Sequence, residues 1–266
     1  MFQNRRDLFK YAGAGILVSS AAALLPQGDA NAKETGKHTS ALPDIGRKFY
    51  SDGRVRPFSG NTIICHVPQQ GEDSGYFNAL LDVYREVPAH SFMRKVTLLP
   101  PSSYHMTIFG CANDQDRKPR LWPEGVPMDA PMETCNRILA EKLRAFRLEM
   151  PLPIRMKVDL SAPDEKPFVV RLLPADDTQN RQLRTLISRL SEYLGIFPPN
   201  IEQYRFHTTM GYQFQVLSAE EMSKFHSQMR KWRADIARKS PEIILGAPEF
   251  CLLDDMFAFH RQFYLQ

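Results

Sequence analysis

The stretch Phe206-His207-Thr208-Thr209-Met210-Gly211-Tyr212-Gln213-Phe214 decides the fold. Read with a period of two, Phe206, Thr208, Met210, Tyr212 and Phe214 face one way, and His207, Thr209, Gly211 and Gln213 face the other. This is a strand with one polar side, from which a histidine and a threonine project side by side. An earlier stretch repeats the device. Tyr104-His105-Met106-Thr107-Ile108-Phe109-Gly110 sets His105 and Thr107 on one face against Met106 and Ile108 on the other. The two His-x-Thr strands are expected to face each other across one active site.

Around them the chain alternates helices and strands. Asn61–Val67 reads as a strand, and Ser74 is placed to cap a helix carrying Phe77, Leu80, Leu81 and Tyr84. Val96–Leu99 is a short apolar strand ended by Pro100-Pro101. After Gly110 a long polar loop runs to about Ala130, and Pro131 opens a helix with Cys135, Ile138, Leu139, Leu143 and Phe146 on its buried face. Ile154, Met156, Val158 and Leu160 alternate as a half-buried strand, and a turn at Pro163–Pro167 leads to a strand over Phe168–Leu173. Asp177 or Thr178 caps a helix with Leu183, Leu186, Ile187, Leu190 and Leu194 inward, which Gly195 and Pro198-Pro199 end. Ser218-Ala219-Glu220-Glu221 is a capping box, opening a helix with Met222, Phe225, Met229, Trp232 and Ile236 inward. Glu249–Leu253, Met256–Phe259 and Phe263–Leu265 close the chain as strands. The order forms two similar halves, each with a helix, a hairpin-like pair and one His-x-Thr strand. That pattern implies an α+β fold with a pseudo-twofold and a groove between its lobes.

The first residues stand apart. Asn4-Arg5-Arg6-Asp7-Leu8-Phe9-Lys10 precedes an apolar run from Tyr11 to Leu25 and an Ala30-Asn31-Ala32 site, as in a secretory signal peptide. The run is short and weakly hydrophobic for a membrane span. The paired arginines followed by Leu, Phe and Lys resemble a twin-arginine (Tat) export signal, departing from it at Asn4 and in the Leu-Phe order. That resemblance implies export of the folded protein to the periplasm of a bacterium, with the export machinery as a partner. A general secretory signal or an uncleaved anchor in the inner membrane are the alternatives. The expected organisation is a signal peptide over 1–32, a flexible lead-in over 33–48 and one domain over 49–266. Loss of residues 1–32 removes three cations and two carboxylates, taking the formal charge from +4 to +3. That mild bias suits an anionic substrate, and no Lys/Arg run suggests a stable nucleic-acid complex. The four cysteines are sparse and lack metal-type pairing, so one bridge is conceivable without a pairing to name, and Cys65 reads as a buried thiol. No Cys-x-x-Cys, haem motif or glycine-rich nucleotide loop supports a cofactor.

Of the seven histidines, His38, His105 and His207 meet His-x-Ser/Thr, and His38 falls in the polar lead-in. Alternating strands, a preceding Tyr or Phe and matching halves single out His105 and His207. Paired His-x-Thr strands with hydrophobic flanks, about a hundred residues apart, resemble the 2H phosphoesterase superfamily. That group includes bacterial 2′-5′ RNA ligase-like proteins and cyclic nucleotide phosphodiesterases. Asn61–Val67 and Leu98–Gly110 together resemble a branch known as a domain of unknown function. The similarity covers most of residues 49–266. It implies a bilobed fold with antiparallel sheets lining a central cleft, helices outside, and His105, Thr107, His207 and Thr209 as the motif residues.

The chemistry fits those residue types. Opening a cyclic phosphodiester needs a water deprotonated on one side and a leaving oxygen protonated on the other, tasks an imidazole performs near neutrality. Thr107 and Thr209 would donate to the non-bridging oxygens. Which histidine is the base stays open, and the scheme requires no metal. Tyr104, Tyr204 and Arg205 adjoin the motifs as further substrate contacts, with packing or solvent exposure as the alternative for each. Arg171 interrupts an apolar strand and is a candidate to enter the cleft, with a solvated strand face as the alternative. Trp122 belongs to a loop over the site or to the core, and His66 and His260 read as structural. The leading reading is a monomeric, metal-independent periplasmic hydrolase of a 2′,3′-cyclic nucleotide or a related cyclic or 2′-5′ phosphodiester, free of the membrane after cleavage. The alternatives are an exported protein that binds a phosphorylated ligand without catalysis, and hydrolysis by a metal held between His105 and His207.

Overall fold

The computed structural model describes residues 42–163 and 168–266. The signal peptide, its cleavage site, His38 and most of the turn expected at Pro163–Pro167 lie outside those residues. Among the described residues, nine strands form one antiparallel sheet: β1 (Gly60–His66), β2 (Val96–Leu98), β3 (His105–Asn113), β4 (Ile154–Val158), β5 (Phe168–Pro174), β6 (His207–Gln213), β7 (Ile243–Leu245), β8 (Glu249–Leu253) and β9 (Phe259–Tyr264). Their order is β7-β4-β5-β6-β3-β1-β8-β9, with β2 also paired to β6. The two His-x-Thr strands are therefore neighbours at the centre, with four strands of that order on each side of their junction counting β3 and β6 themselves. This is an α+β fold built on an antiparallel sheet.

Helices α1 (Gly75–Glu86), α2 (Met132–Ala145), α3 (Asp177–Leu194) and α4 (Ala219–Lys239) follow from their apolar stripes. α1 packs on α4, α2 against β1 and β8, and α3 against β3 and β5. α4 buries Phe225, Met229, Trp232 and Ile236, and Trp232 stacks 5.4 Å from Phe168 of β5. Its capping box forms as expected: Glu221 N donates to Ser218 Oγ (3.2 Å) and Ser218 N to the Glu221 carboxylate (2.7 Å). The same carboxylate accepts from Lys95 Nζ at 2.7 Å. Ser218→Ala is expected to lower the unfolding free energy by about 1 kcal/mol, read from urea melts at unchanged slope. Among the described residues, no helix is long and apolar enough to cross a membrane.

Several local expectations shift. Asp176, rather than Asp177 or Thr178, caps α3 by accepting from Gln179 N at 2.8 Å, and Gly195 ends it with φ 64°. The Ser74 hydroxyl donates back to Gly71 O (2.8 Å) instead of capping α1. Leu160 is 61% exposed, because β4 ends at Val158. The two closing strands expected after β8 are the single strand β9, and β7 pairs with β4 although its three residues give no periodic signal. The four cysteines are buried free thiols, so no bridge forms. Trp122 is a core residue of its loop, donating from Nε1 to Val126 O and Pro127 O.

Candidate active site

β3 and β6 run antiparallel with Met106 opposite Thr208. That register sets His105 beside Thr209 and Thr107 beside His207, so the histidines occupy one diagonal of a four-residue array and the threonines the other. All four are half-buried and line one cleft of about 390 Å³. Met106, Thr208 and Met210, which alternate with them, are completely buried on the opposite face.

Each histidine is the first residue of its strand and follows a single 3-10 turn, Pro101–Ser103 in one case and Ile201–Gln203 in the other. The chain reversal presents the carbonyl two residues upstream. His105 Nδ1 donates to Ser103 O (2.6 Å), and His207 Nδ1 donates to Arg205 O (2.9 Å). We assign a ring proton to Nδ1 of each imidazole on this basis. Arg171 Nη1 lies 3.3 Å from both Arg205 O and His207 Nδ1. A guanidinium has no acceptor, so Arg171 shares the carbonyl with the ring N–H.

The motif strands also share an irregularity. Ile63 and Ile64 of β1 face Phe109 and Thr107, which leaves Ile108 as an extra residue in β3. Phe168 and Val169 of β5 face Gly211 and Thr209, which leaves Met210 as an extra residue in β6. Both extra residues come three positions after a histidine. A bulge reverses the alternation beyond it, so Gly110 and Tyr212, each five after its histidine, line the cleft. Tyr212 was expected on the buried face with Met210, and Gln213 takes the buried position instead. The signal available in the sequence was Gly211. A Cβ there would stand 2.7 Å from Thr97 O of β2, so the close approach of β2 needs glycine.

Electrostatics separate His105 from its surroundings. Burial pulls its pKa down to about 4, the Ser103 carbonyl opposes that, and His66 and His207 add to it. The Phe259 ring, with its centroid 4.2 Å from that of His105, supplies part of the apolar wall. His105 is therefore an uncharged imidazole at neutral pH. Across β1 its partner is His66, whose ring lies edge-on at 6.3 Å. His66 Nδ1 donates to Glu249 Oε1 at 2.5 Å, and Arg261 reaches the other carboxylate oxygen at 3.4 Å. His66, Glu249 and Cys251 are the one cluster among the described residues with ligand atoms close enough for a metal, all within 4.8 Å. That cluster lies beside the His-x-Thr array and does not include its histidines.

Sequence reasoning missed the cations of the cleft. Residues 42–48, expected in the flexible lead-in, fold onto the domain through bridges between Ile45 and Phe49 and between Phe49 and Val55. They bring Arg47 and Lys48 to the cleft wall. Lys48 Nζ pairs with Asp44 (3.1 Å) and lies 5.0 Å from the Tyr212 ring centroid. Burial works against its charge, yet Tyr212 and Asp44 outweigh it and raise the pKa. Arg47 pairs with Asp116 and sits over Phe58. A turn without periodicity offered no signal for either residue.

The secondary candidates divide. Tyr104 is 0% exposed and packs in the core with Met106, because one residue before His105 is the opposite face. That removes it from the substrate contacts. Arg171, Tyr204 and Arg205 line a separate cleft of about 360 Å³ formed with β5 and α3. Burial pushes the Tyr204 hydroxyl up to about 12, with Thr107 and Arg171 partly opposing it. Its ring centroid is 6.1 Å from that of His207. His260 is exposed on β9, 3.7 Å from Asp254.

Residues 48–166 match the family model described as "2H-phosphodiest: Domain of unknown function (DUF1868)". The matched segment holds β1 to β4 and the first His-x-Thr, and it ends before β5 and β6. The fold is similar to the crystal structure of a conserved protein of unknown function from Agrobacterium tumefaciens, with a TM-score of 0.77 at 21% identity, over 85% of this chain and 94% of that one. A Thermus thermophilus protein aligns with a TM-score of 0.37 at 16% identity, over 77% of this chain and 97% of that one. No curated protein matches the sequence.

Proposed function

We propose that the chain hydrolyses a phosphodiester, a 2′,3′-cyclic nucleotide or a related cyclic or 2′-5′ linkage, by acid–base catalysis from His105 and His207. The observation that carries this reading is the array itself: two imidazoles on one diagonal, each with Nδ1 fixed by a carbonyl, and two hydroxyls on the other. The family model matched by residues 48–166 points to the same class of chemistry. The matching turns, carbonyls and bulges support a pseudo-twofold relation between two lobes that meet at the array.

In the proposed step His105 is the base. Its Nε2 takes a proton from water as the water oxygen bonds to phosphorus, and the His207 imidazolium gives its Nε2 proton to the departing sugar oxygen. The products are a phosphomonoester and a free hydroxyl. Thr107 and Thr209 donate to the non-bridging oxygens, where charge builds, and Lys48 faces that charge from the cleft wall. The low pKa of His105 fits the base role, since a base must start neutral, and an arriving anion raises its basicity. The Arg5-Arg6 pair and the small-residue site at Ala32 support a periplasmic location reached through twin-arginine export.

The pH profile tests the assignment. Below its pKa His105 is protonated and inactive as a base, so kcat/KM for the free enzyme is expected to rise with pH through about 4 and to be level by neutrality on that limb. Phe259→Ala admits water to the ring and is expected to move that limb up toward the ordinary histidine value of about 6.5. A wild-type limb already at the ordinary histidine value, unmoved by Phe259→Ala, would contradict the assignment of His105.

A further inference from the structure

The second cleft adjoins the first at His207. Arg171 stands opposite His207 across the β5–β6 pair, so it leaves the same face of the sheet one strand further out, about 4.8 Å away. Tyr204 continues the connection beside the His207 ring. Around this cleft stand the cations Lys157, Arg171, Arg184 and Arg205. Its three acids have other duties or stand in solvent. Asp159 accepts from the backbone N (2.9 Å) and hydroxyl (2.7 Å) of Ser161. Asp176 caps α3 and pairs with Arg155 at 3.0 Å. Asp177 is exposed in the first turn of α3.

Arg184 gives the cleft its character. It projects from α3 with its guanidinium carbon 5.0 Å from the centroid of Phe206. Its Nη1 is buried and has no hydrogen-bond partner. Burial lowers its pKa and Tyr204 alone counters that, so no carboxylate among the described residues neutralises it. A buried cationic donor without an acceptor is costly, and an anion entering the cleft would relieve that cost. The planar fork of a guanidinium matches phosphate in particular, and a flat aromatic surface beneath holds it in place.

We propose that this cleft is a subsite for a second phosphate of the substrate, on the 5′ side of the phosphodiester held at His105 and His207. The natural substrate is then a nucleotide or short oligonucleotide that carries a further phosphate, rather than a cyclic mononucleoside phosphate alone. The identity of the scissile group rests on the phosphodiesterase reading, while the anion subsite itself does not.

Two measurements separate the claims. The first compares kcat/KM for adenosine 2′,3′-cyclic phosphate with and without a 5′-phosphate. Wild type is expected to prefer the 5′-phosphorylated compound by about tenfold, equivalent to about 1.4 kcal/mol, and Arg184→Met is expected to collapse that ratio toward one. Arg184→Lys keeps a cation without the fork and should fall between them, which also covers a Met variant that fails to fold. The second measures binding of adenosine 5′-monophosphate by calorimetry, which needs no turnover. Binding weakened by Arg184→Met in a protein that hydrolyses neither these cyclic compounds nor a 2′-5′ linked dinucleotide would keep the subsite and overturn the phosphodiesterase reading. Turnover with no 5′-phosphate preference, or with the same preference in wild type and Arg184→Met, would overturn the subsite alone.

Discussion

His207→Ala is expected to lower kcat for a 2′,3′-cyclic nucleotide by about 10²- to 10⁴-fold, and His105→Ala to do the same. The effect follows from the array. Each imidazole is one of two proton carriers, and neither neighbouring hydroxyl titrates in the range where it could replace one. The two substitutions should not add, because a concerted transfer that lacks one carrier gains little from the other. The double variant is therefore expected to be about as slow as the worse single one. Folding should survive both changes. The rings are half-buried on the cleft side, and their Nδ1 bonds go to carbonyls two residues away rather than into the core. Unchanged thermal melting with lost turnover would mark a catalytic effect. Wild-type kcat in either well-folded variant would remove that residue from the mechanism.

Gly211→Val is expected to destabilise the protein by about 1–3 kcal/mol through overpacking. The added Cβ would meet Thr97 O at 2.7 Å and Val96 Cγ1 at 3.0 Å, and the first of these is backbone that cannot rotate away. Either β2 moves off β6 or the bulge at Met210 straightens. Straightening would turn Tyr212 out of the cleft and take the aromatic support from Lys48. Urea unfolding should show a lower midpoint at unchanged slope, and the variant should bind substrate more weakly. Gly110, the cleft-lining glycine of β3, provides the control: a Cβ there meets nothing within 4 Å, so Gly110→Ala should be close to neutral. Equal stability of Gly211→Val and wild type would mean that the β2–β6 approach is looser than the structure has it.

Strong local signals made much of the fold legible. The α4 capping box and stripe, the glycine that ends α3 and the polar faces of β3 and β6 each follow from contacts within a few residues. Each strand's own His-x-Thr face was legible for the same reason, since an alternating strand places its own side chains, whereas the side-by-side pairing that joins them rests on the distant register of Met106 against Thr208. What escaped depends on distant partners. The bulges at Ile108 and Met210 exist because of register against β1 and β5. β7 is a strand because β4 offers it an edge, and its three residues carry no pattern of their own. Lys48 reaches the cleft through a turn that bridges Phe49, and the His66–Glu249 pair joins residues far apart in the chain. Tyr104 looked available because it adjoins His105, yet adjacency in a strand means the opposite face.

The most direct test is hydrolysis of 2′,3′-cyclic nucleotides and a 2′-5′ linked dinucleotide by the wild-type chain without residues 1–32, with excess chelator present. The account predicts turnover of at least one of these to a phosphomonoester, undiminished by the chelator. Absence of turnover across the set by well-folded protein, or activity that vanishes with chelator and returns with a divalent metal, would contradict acid–base catalysis by His105 and His207.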